Sequence, residues 1–165
     1  MALGDIKIVD AGGHNVVPTR VYQTDAGATA IKAGEPVVLT TIGSSVYASP
    51  AADADPTIGT DYLAGIAAGP STHTASADGT VEVYMPLPGV VYRGKAKSAA
   101  AANTDAEILA LANKRTIFDL TTGVYTLDTA AADNAAHGLI YTGTGNAATS
   151  EVDFVISIRT TNLGF

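Results

Sequence analysis

The chain has 165 residues, a formal charge of −7, 15% charged residues, and no cysteine or tryptophan. The missing cysteines exclude a disulfide framework, a thiolate zinc site and a cysteine nucleophile. No apolar run approaches the ~18–20 residues of a membrane helix, and the acidic balance argues against a grip on a nucleic-acid backbone.

Ala, Gly and Thr make up about two-fifths of the chain, so its 47% of nominally hydrophobic residues are largely small methyl groups, with seven Tyr and three Phe. The segment Met1 to Lys7 has no basic flank followed by an apolar block, and no secretory signal is expected. Up to residue 28 no period is clear: Ile6, Ile8 and Val9 precede Ala11-Gly12-Gly13, then Val16-Val17-Pro18 and Val21-Tyr22. Pro18 forbids a central strand or helix interior at that point. Residues 1–28 read as an extended N-terminal arm with one or two short strands, and residues 29–165 as a single β-rich domain with a helical insertion.

From residue 29 the pattern alternates. Val37 to Thr41 and Ser45 to Ala48 flank Ile42-Gly43-Ser44 as a hairpin, and Pro50 to Thr57 is a surface loop by composition. Tyr62 to Ala68 is an apolar run whose internal Gly65 marks a bulge or a close backbone approach. A polar loop over 69–79 closes on Asp78-Gly79, a tight-turn dipeptide, and launches a strand with Val81, Val83 and Met85 on one face. After Pro86, Pro88 and Gly89, strand character resumes through Arg93 and Lys97.

One short α-helix is predicted at about 104–114. Thr104-Asp-Ala-Glu107 is a capping box, in which the threonine oxygen accepts from the third amide and the glutamate reaches back. Ile108, Leu111 and Ala112 form its apolar stripe; Ser98 to Ala102 could extend it upstream. Thr116 to Leu120 and Val124 to Asp128 flank a three-residue hairpin loop, Thr121-Thr122-Gly123. A short strand over 138–142, a loop over 143–150 and a long strand from Glu151 to Thr160, with Val152, Phe154, Ile156 and Ile158 on one face, complete the chain. The sum is mainly β.

No catalytic constellation emerges. His14, His73 and His137 lie on separate loop-like segments, without metal-ligand spacing. Asp53 and Asp55 alternate as early calcium-loop ligands do, but the glycine and distal glutamate of that loop are missing, and turn initiation before Pro56 accounts for them. Gly143-Thr-Gly145-Asn-Ala-Ala148 matches G-x-G-x-x-A but lacks the helix and second strand of a dinucleotide site. Gly43-Ser44-Ser45 lacks the nucleophile-elbow pattern. The basic cluster Arg93 to Lys97 reads as a solvated face or an acidic-partner contact rather than a nucleic-acid site. The expectation is therefore a non-enzyme with no metal, no cofactor, no nucleic-acid partner and no membrane.

Five segments in order carry a family resemblance: Ile31 to Val37, Tyr62 to Ala68, Asp78 to Val83, Pro88 to Gly94, and Asp133 to Leu139. The chain resembles the head decoration, or cement, proteins of tailed bacteriophages. That resemblance implies a small β-barrel of β-tulip-like type with a flanking helix and an extended N-terminal arm. It implies a homo-oligomer, commonly a trimer, on the outside of the major capsid protein shell, assembled in the host bacterial cytoplasm; no residue motif here fixes trimer against dimer. Low charge and small side chains suit contacts that dehydrate easily. An apolar arm can add a strand to a neighbour. The candidate capsid or neighbour contacts are Ile6, Ile8, Val9, Val16, Val17, Arg20 and Tyr22, and removing residues 1–13 is expected to weaken capsid binding while leaving the fold intact. The alternative is a receptor-binding or adhesion β-domain using loops 50–60, 70–79 and 143–150.

Overall fold

The computed structural model describes residues 6–130, 133–157 and 159. They form twelve strands and one α-helix: β1 (Lys7–Asp10), β2 (Thr19–Thr24), β3 (Pro36–Ile42), β4 (Ser45–Pro50), β5 (Leu63–Ala67), β6 (Gly79–Tyr84), β7 (Val91–Lys95), α1 (Asp105–Ala110), β8 (Arg115–Thr116), β9 (Phe118–Thr121), β10 (Val124–Leu127), β11 (Leu139–Asn146) and β12 (Glu151–Ile156). One sheet runs β1-β7-β12-β11-β8, a second β2-β6-β5-β3-β4, and β9-β10 is a separate hairpin. All strand pairs within these sheets are antiparallel.

The second sheet curls until its two edge strands, β2 and β4, bring Cα atoms within 8 Å of each other. Its concave face holds a small core of Ile31, Val37, Ala48, Ala64, Ala67, Val81 and Val83, with Tyr22 and Leu39 packed against it. Alanine at three of these positions suits a tight five-stranded curl, whose interior is narrow. The opposite face contributes Leu63 and Ile66 to a larger core shared with the first sheet, built on Tyr92, Phe118, Leu127, Leu139 and Phe154. Phe154 stacks on Tyr92 at 5.7 Å and meets Phe118 edge-on at 5.8 Å. The chain is thus a mainly β, small barrel-like domain with one short helix.

Strand β5 is buried on both faces because Gly65 resets its alternation. Val37 pairs with Gly65 but Val38 with Leu63, so one extra residue is inserted on β5. Leu63 and Ile66 therefore face one core while Ala64 and Ala67 face the other. Gly65 has φ 141°, and a Cβ there would collide with the Tyr84 carbonyl. The glycine is both a bulge and a close approach.

The capping box forms: Thr104 Oγ1 accepts from Glu107 N at 3.2 Å and Glu107 Oε2 from Thr104 N at 3.1 Å. The helix is shorter than the sequence pattern, ending at Ala110. Asn113 turns left-handed at φ 64°. Its N–H then donates to Tyr141 O at 2.9 Å, and Tyr141 N donates back to Lys114 O at 3.0 Å. Pairing with β11 thus takes over the backbone. Upstream, Ala99–Ala101 is a separate 3-10 turn.

Several boundaries differ from expectation. The β9–β10 loop has two residues, Thr122 and Gly123, because Thr121 pairs with Val124. Asp78-Gly79 is not the tight turn: Thr74 N donates to Ala77 O at 2.9 Å, and Gly79 already opens β6, pressed against the His73 backbone. The expected loop over 143–150 is instead the second half of β11 followed by the 3-10 turn Ala147–Thr149. Ile158 lies outside the described residues.

The described part of the 1–28 segment is extended, but it belongs to the domain rather than standing off as an arm. β1 pairs with β7, and β2 pairs with β6 along its whole length, Thr19 to Thr24 against Tyr84 to Gly79. Pro18 is compatible because it precedes β2, and its carbonyl accepts from Met85 N at 2.9 Å. Residues 1–5 lie outside the described residues.

Candidate functional site

The seven candidate contact residues divide by burial. Ile6 and Val17 are each 5% exposed and sit in the larger core, so they are framework, not contacts. Ile8 packs against the same core. Val9, the extra residue where the β1–β7 register shifts, is 40% exposed, and Val16 is 77% exposed. On β2, Tyr22 packs against the small core, and the exposed Arg20 guanidinium lies 5.3 Å from the Tyr22 ring centroid. Val21 points the other way and is 62% exposed. It was absent from the candidates, yet the period of two carried the signal: with Tyr22 turned in, Val21 must turn out. The other exposed large hydrophobics among the described residues are Ile42, Val46, Tyr62 and Leu109.

The basic cluster on β7 is tied inward. Arg93 grips Asp153 in a fork, Nε to Oδ1 at 2.5 Å and Nη2 to Oδ2 at 2.8 Å. Those bonds raise the Arg93 pKa and keep it cationic. Thr144 Oγ1 donates to the same carboxylate at 2.8 Å. Lys95 Nζ donates to Thr149 O at 3.0 Å. Lys97 Nζ lies 2.6 Å from Asp119 Oδ1 and 3.5 Å from Asp128 Oδ2. Burial pushes the Asp119 carboxyl up, but hydrogen bonds from Lys97 and Thr121 outweigh it and hold the group below its ordinary value. These cations brace β7 against β12 and the β9–β10 hairpin.

The loop aspartates act on backbone. Asp53 Oδ1 accepts from Leu120 N at 2.9 Å, Asp55 Oδ2 from Ala52 N at 2.6 Å, and Asp61 Oδ2 from Thr57 N at 2.8 Å. Burial and the neighbouring Asp61 and Asp53 raise the Asp55 carboxyl above its usual range. Ala54 N and Asp55 O also pair with Phe118, so this loop straps the hairpin. His73 Nε2 bonds Ala28 O at 2.9 Å, and His137 forms a β-bridge with Thr57. Among the described residues, no three or more His, Cys, Asp or Glu side chains cluster to hold a metal ion, and no helix is long and apolar enough to cross a membrane. In the G-x-G-x-x-A segment, Asn146 Oδ1 accepts from Ala148 N at 3.1 Å, capping the 3-10 turn where a dinucleotide site needs a helix.

The buried phenols serve packing. Tyr125 OH donates to Ala51 O and Tyr141 OH to Thr116 Oγ1 at 3.3 Å. Burial raises the pKa of Tyr92, Tyr125 and Tyr141, keeping all three neutral. Among the described residues, a cleft of about 400 Å³ opens beside the β9–β10 hairpin and another of about 320 Å³ between β1 and the curled sheet. Comparison with protein-family models, curated proteins and solved structures finds no match in any of the three.

Proposed function

We propose that this protein is a non-enzymatic virion component, a head decoration protein of a tailed bacteriophage. In this reading it seats on the outside of the capsid and stabilises it by bridging major capsid protein subunits. It acts as a homo-oligomer, with a trimer favoured over a dimer on the family resemblance, and it assembles with the head in the host bacterial cytoplasm. The observation that carries the reading is where apolar surface is left open. Three of the seven exposed large hydrophobics among the described residues, Val9, Val16 and Val21, fall within thirteen residues of the N-terminal segment. Apolar side chains left exposed along one segment suit burial by a neighbour. Arg93, Asp153, Lys97 and Asp119 are engaged in ion pairs within the fold. Individually weak contacts then suffice, because symmetry-related copies bind together. The adhesion alternative has less support, since half of its 143–150 loop is strand and the rest is a 3-10 turn with its cap.

The test is particle composition and heat stability. The protein is expected at stoichiometric level in purified heads, and heads lacking it are expected to rupture at lower temperature. Heads of unchanged composition and heat stability after deletion of the gene overturn the proposal.

A further inference from the structure

The cleft beside the β9–β10 hairpin combines three features that point to one kind of occupant. Its volume, about 400 Å³, is within the range of ligand sites, and Ala28, Ala30, Pro50, Ala51 and Leu120 give it narrow apolar walls. Such walls suit an unbranched aliphatic stem. Glu35 also lines it, with a side chain only 14% exposed. Its Oε2 accepts from Lys32 N at 2.8 Å, and its Oε1 forms a long ion pair, 3.9 Å, with the Lys32 ammonium, which also lines the cleft and is 74% exposed, so that it can swing into water. An ionised carboxylate accepts several hydrogen bonds, so Oε1 keeps capacity for a closer cation. Thr29 and Ala30 line the same cleft, are exposed, and make no main-chain hydrogen bond to any described residue. Their N–H and C=O groups are open to an extended segment laid alongside.

We propose that this cleft is a docking site for a basic side chain, arginine or lysine, carried on an extended segment of a polypeptide partner. The stem lies between Ala30, Pro50 and Leu120, the charged head meets Glu35 Oε1, and the partner's main chain runs beside Thr29 and Ala30. The chain's charge of −7 favours approach of a basic partner. This inference stands independently of the capsid reading.

The test is an amide NMR titration of the whole chain with Ac-Ala-Arg-Ala-NH2 and Ac-Ala-Lys-Ala-NH2, with the norleucine tripeptide as the uncharged control. At least one basic peptide is expected to give saturable shifts confined to residues 28–35, 49–51 and 120–125. The norleucine peptide is expected to bind about tenfold or more weakly. Glu35→Gln keeps an acceptor for Lys32 N and is expected to weaken the basic peptide about tenfold. Ala30→Phe, at an exposed position, fills the cleft and is expected to abolish the shifts in an otherwise folded spectrum. Absence of saturable shifts at the cleft up to about 20 mM peptide, equal binding of norleucine, or unchanged binding by Glu35→Gln overturns the proposal. Putrescine binding as tightly as the peptides overturns the polypeptide source.

Discussion

Gly65 and the Tyr84 carbonyl leave no space between them for a methyl group, and Gly65 holds φ 141°, a conformation that side chains rarely adopt. Both facts follow from the bulge that lets β5 serve two cores. Gly65→Ala is therefore expected to cost about 3–5 kcal/mol, combining overpacking with backbone strain. That is a large part of a typical domain stability of ~5–15 kcal/mol. Gly69→Ala is the control, because nothing lies within 4 Å of a Cβ there. Urea unfolding of the two variants checks this; near-equal midpoints would show that β5 can re-register.

The Arg93–Asp153 pair is asymmetric, with side chains 22% and 5% exposed respectively. Removing the arginine strands a buried carboxylate, whereas removing the aspartate leaves a guanidinium that reaches water. Arg93→Met is expected to cost about 3–5 kcal/mol. Asp153→Asn, which still accepts from Thr144, is expected to cost clearly less, about 1–3 kcal/mol. Denaturation of both single variants and the double variant measures the coupling. A larger loss in Asp153→Asn would contradict this account.

Thr122 and Gly123 occupy the β9–β10 turn with φ 52° and 77°. Two left-handed residues in a two-residue loop make a turn that favours Asn-Gly, and a β-branched threonine fits the first position poorly. Thr122→Asn is expected to stabilise the protein by about 0.5–1 kcal/mol. The corresponding rise in Tm is about 1–4 °C for a domain of this size. A fall in Tm would mean that the Thr122 hydroxyl, which donates to Thr121 O at 2.8 Å, outweighs the strain.

Asp55 titrates above its usual range in the folded protein. The folded state then holds its proton to higher pH than the unfolded chain does. This term is favourable below the unfolded carboxyl value near 4 and is lost as pH rises through the raised folded value. Asp55→Asn removes the ionisation and keeps an acceptor for Ala52 N. The variant is expected to be more stable than the parent at neutral pH, with the advantage shrinking as pH falls toward 4. Thermal melts across that window check the sign; an advantage that grows toward acid would reverse it.

Local chemistry was readable where one residue type does one job. Thr104 and Glu107 announce the cap, Gly65 the bulge, and the alternation of Val81 and Val83 their shared core face. Pairing over long sequence distances was not readable. Nothing near Ile6 reports that β1 lies beside β7, and nothing near Arg93 reports that its partner is sixty residues away. The Gly143 segment misled because small residues suit loops, yet Gly145 and Asn146 pair with Val152 and Glu151 in β11 and β12. In the candidate surface, composition identified the apolar segment, but only the packing of β1, β2 and the chain beside them separates buried Ile6 and Val17 from exposed Val9, Val16 and Val21.

That separation reverses one expectation about the N-terminal segment. Removing residues 1–13 takes away β1 with the buried Ile6 and the partly buried Ile8. At about 1.5–3 kcal/mol for each large side chain withdrawn from water, the loss is about 3 kcal/mol or more, before the β1–β7 hydrogen bonds are counted. The truncated chain is therefore expected to be markedly less stable, so weakened particle binding by it would not identify a contact. Val9→Thr, Val16→Ser and Val21→Thr, combined, remove exposed methyl groups and keep strand-compatible shapes at the two strand positions. Each is expected to change stability by no more than about 0.5 kcal/mol. Losing three aliphatic contacts is expected to weaken binding to undecorated heads about tenfold or more. Co-sedimentation with heads lacking the protein, paired with urea unfolding, reads both quantities. A folded triple variant that binds heads as tightly as the parent would remove the N-terminal aliphatic surface from the capsid contact.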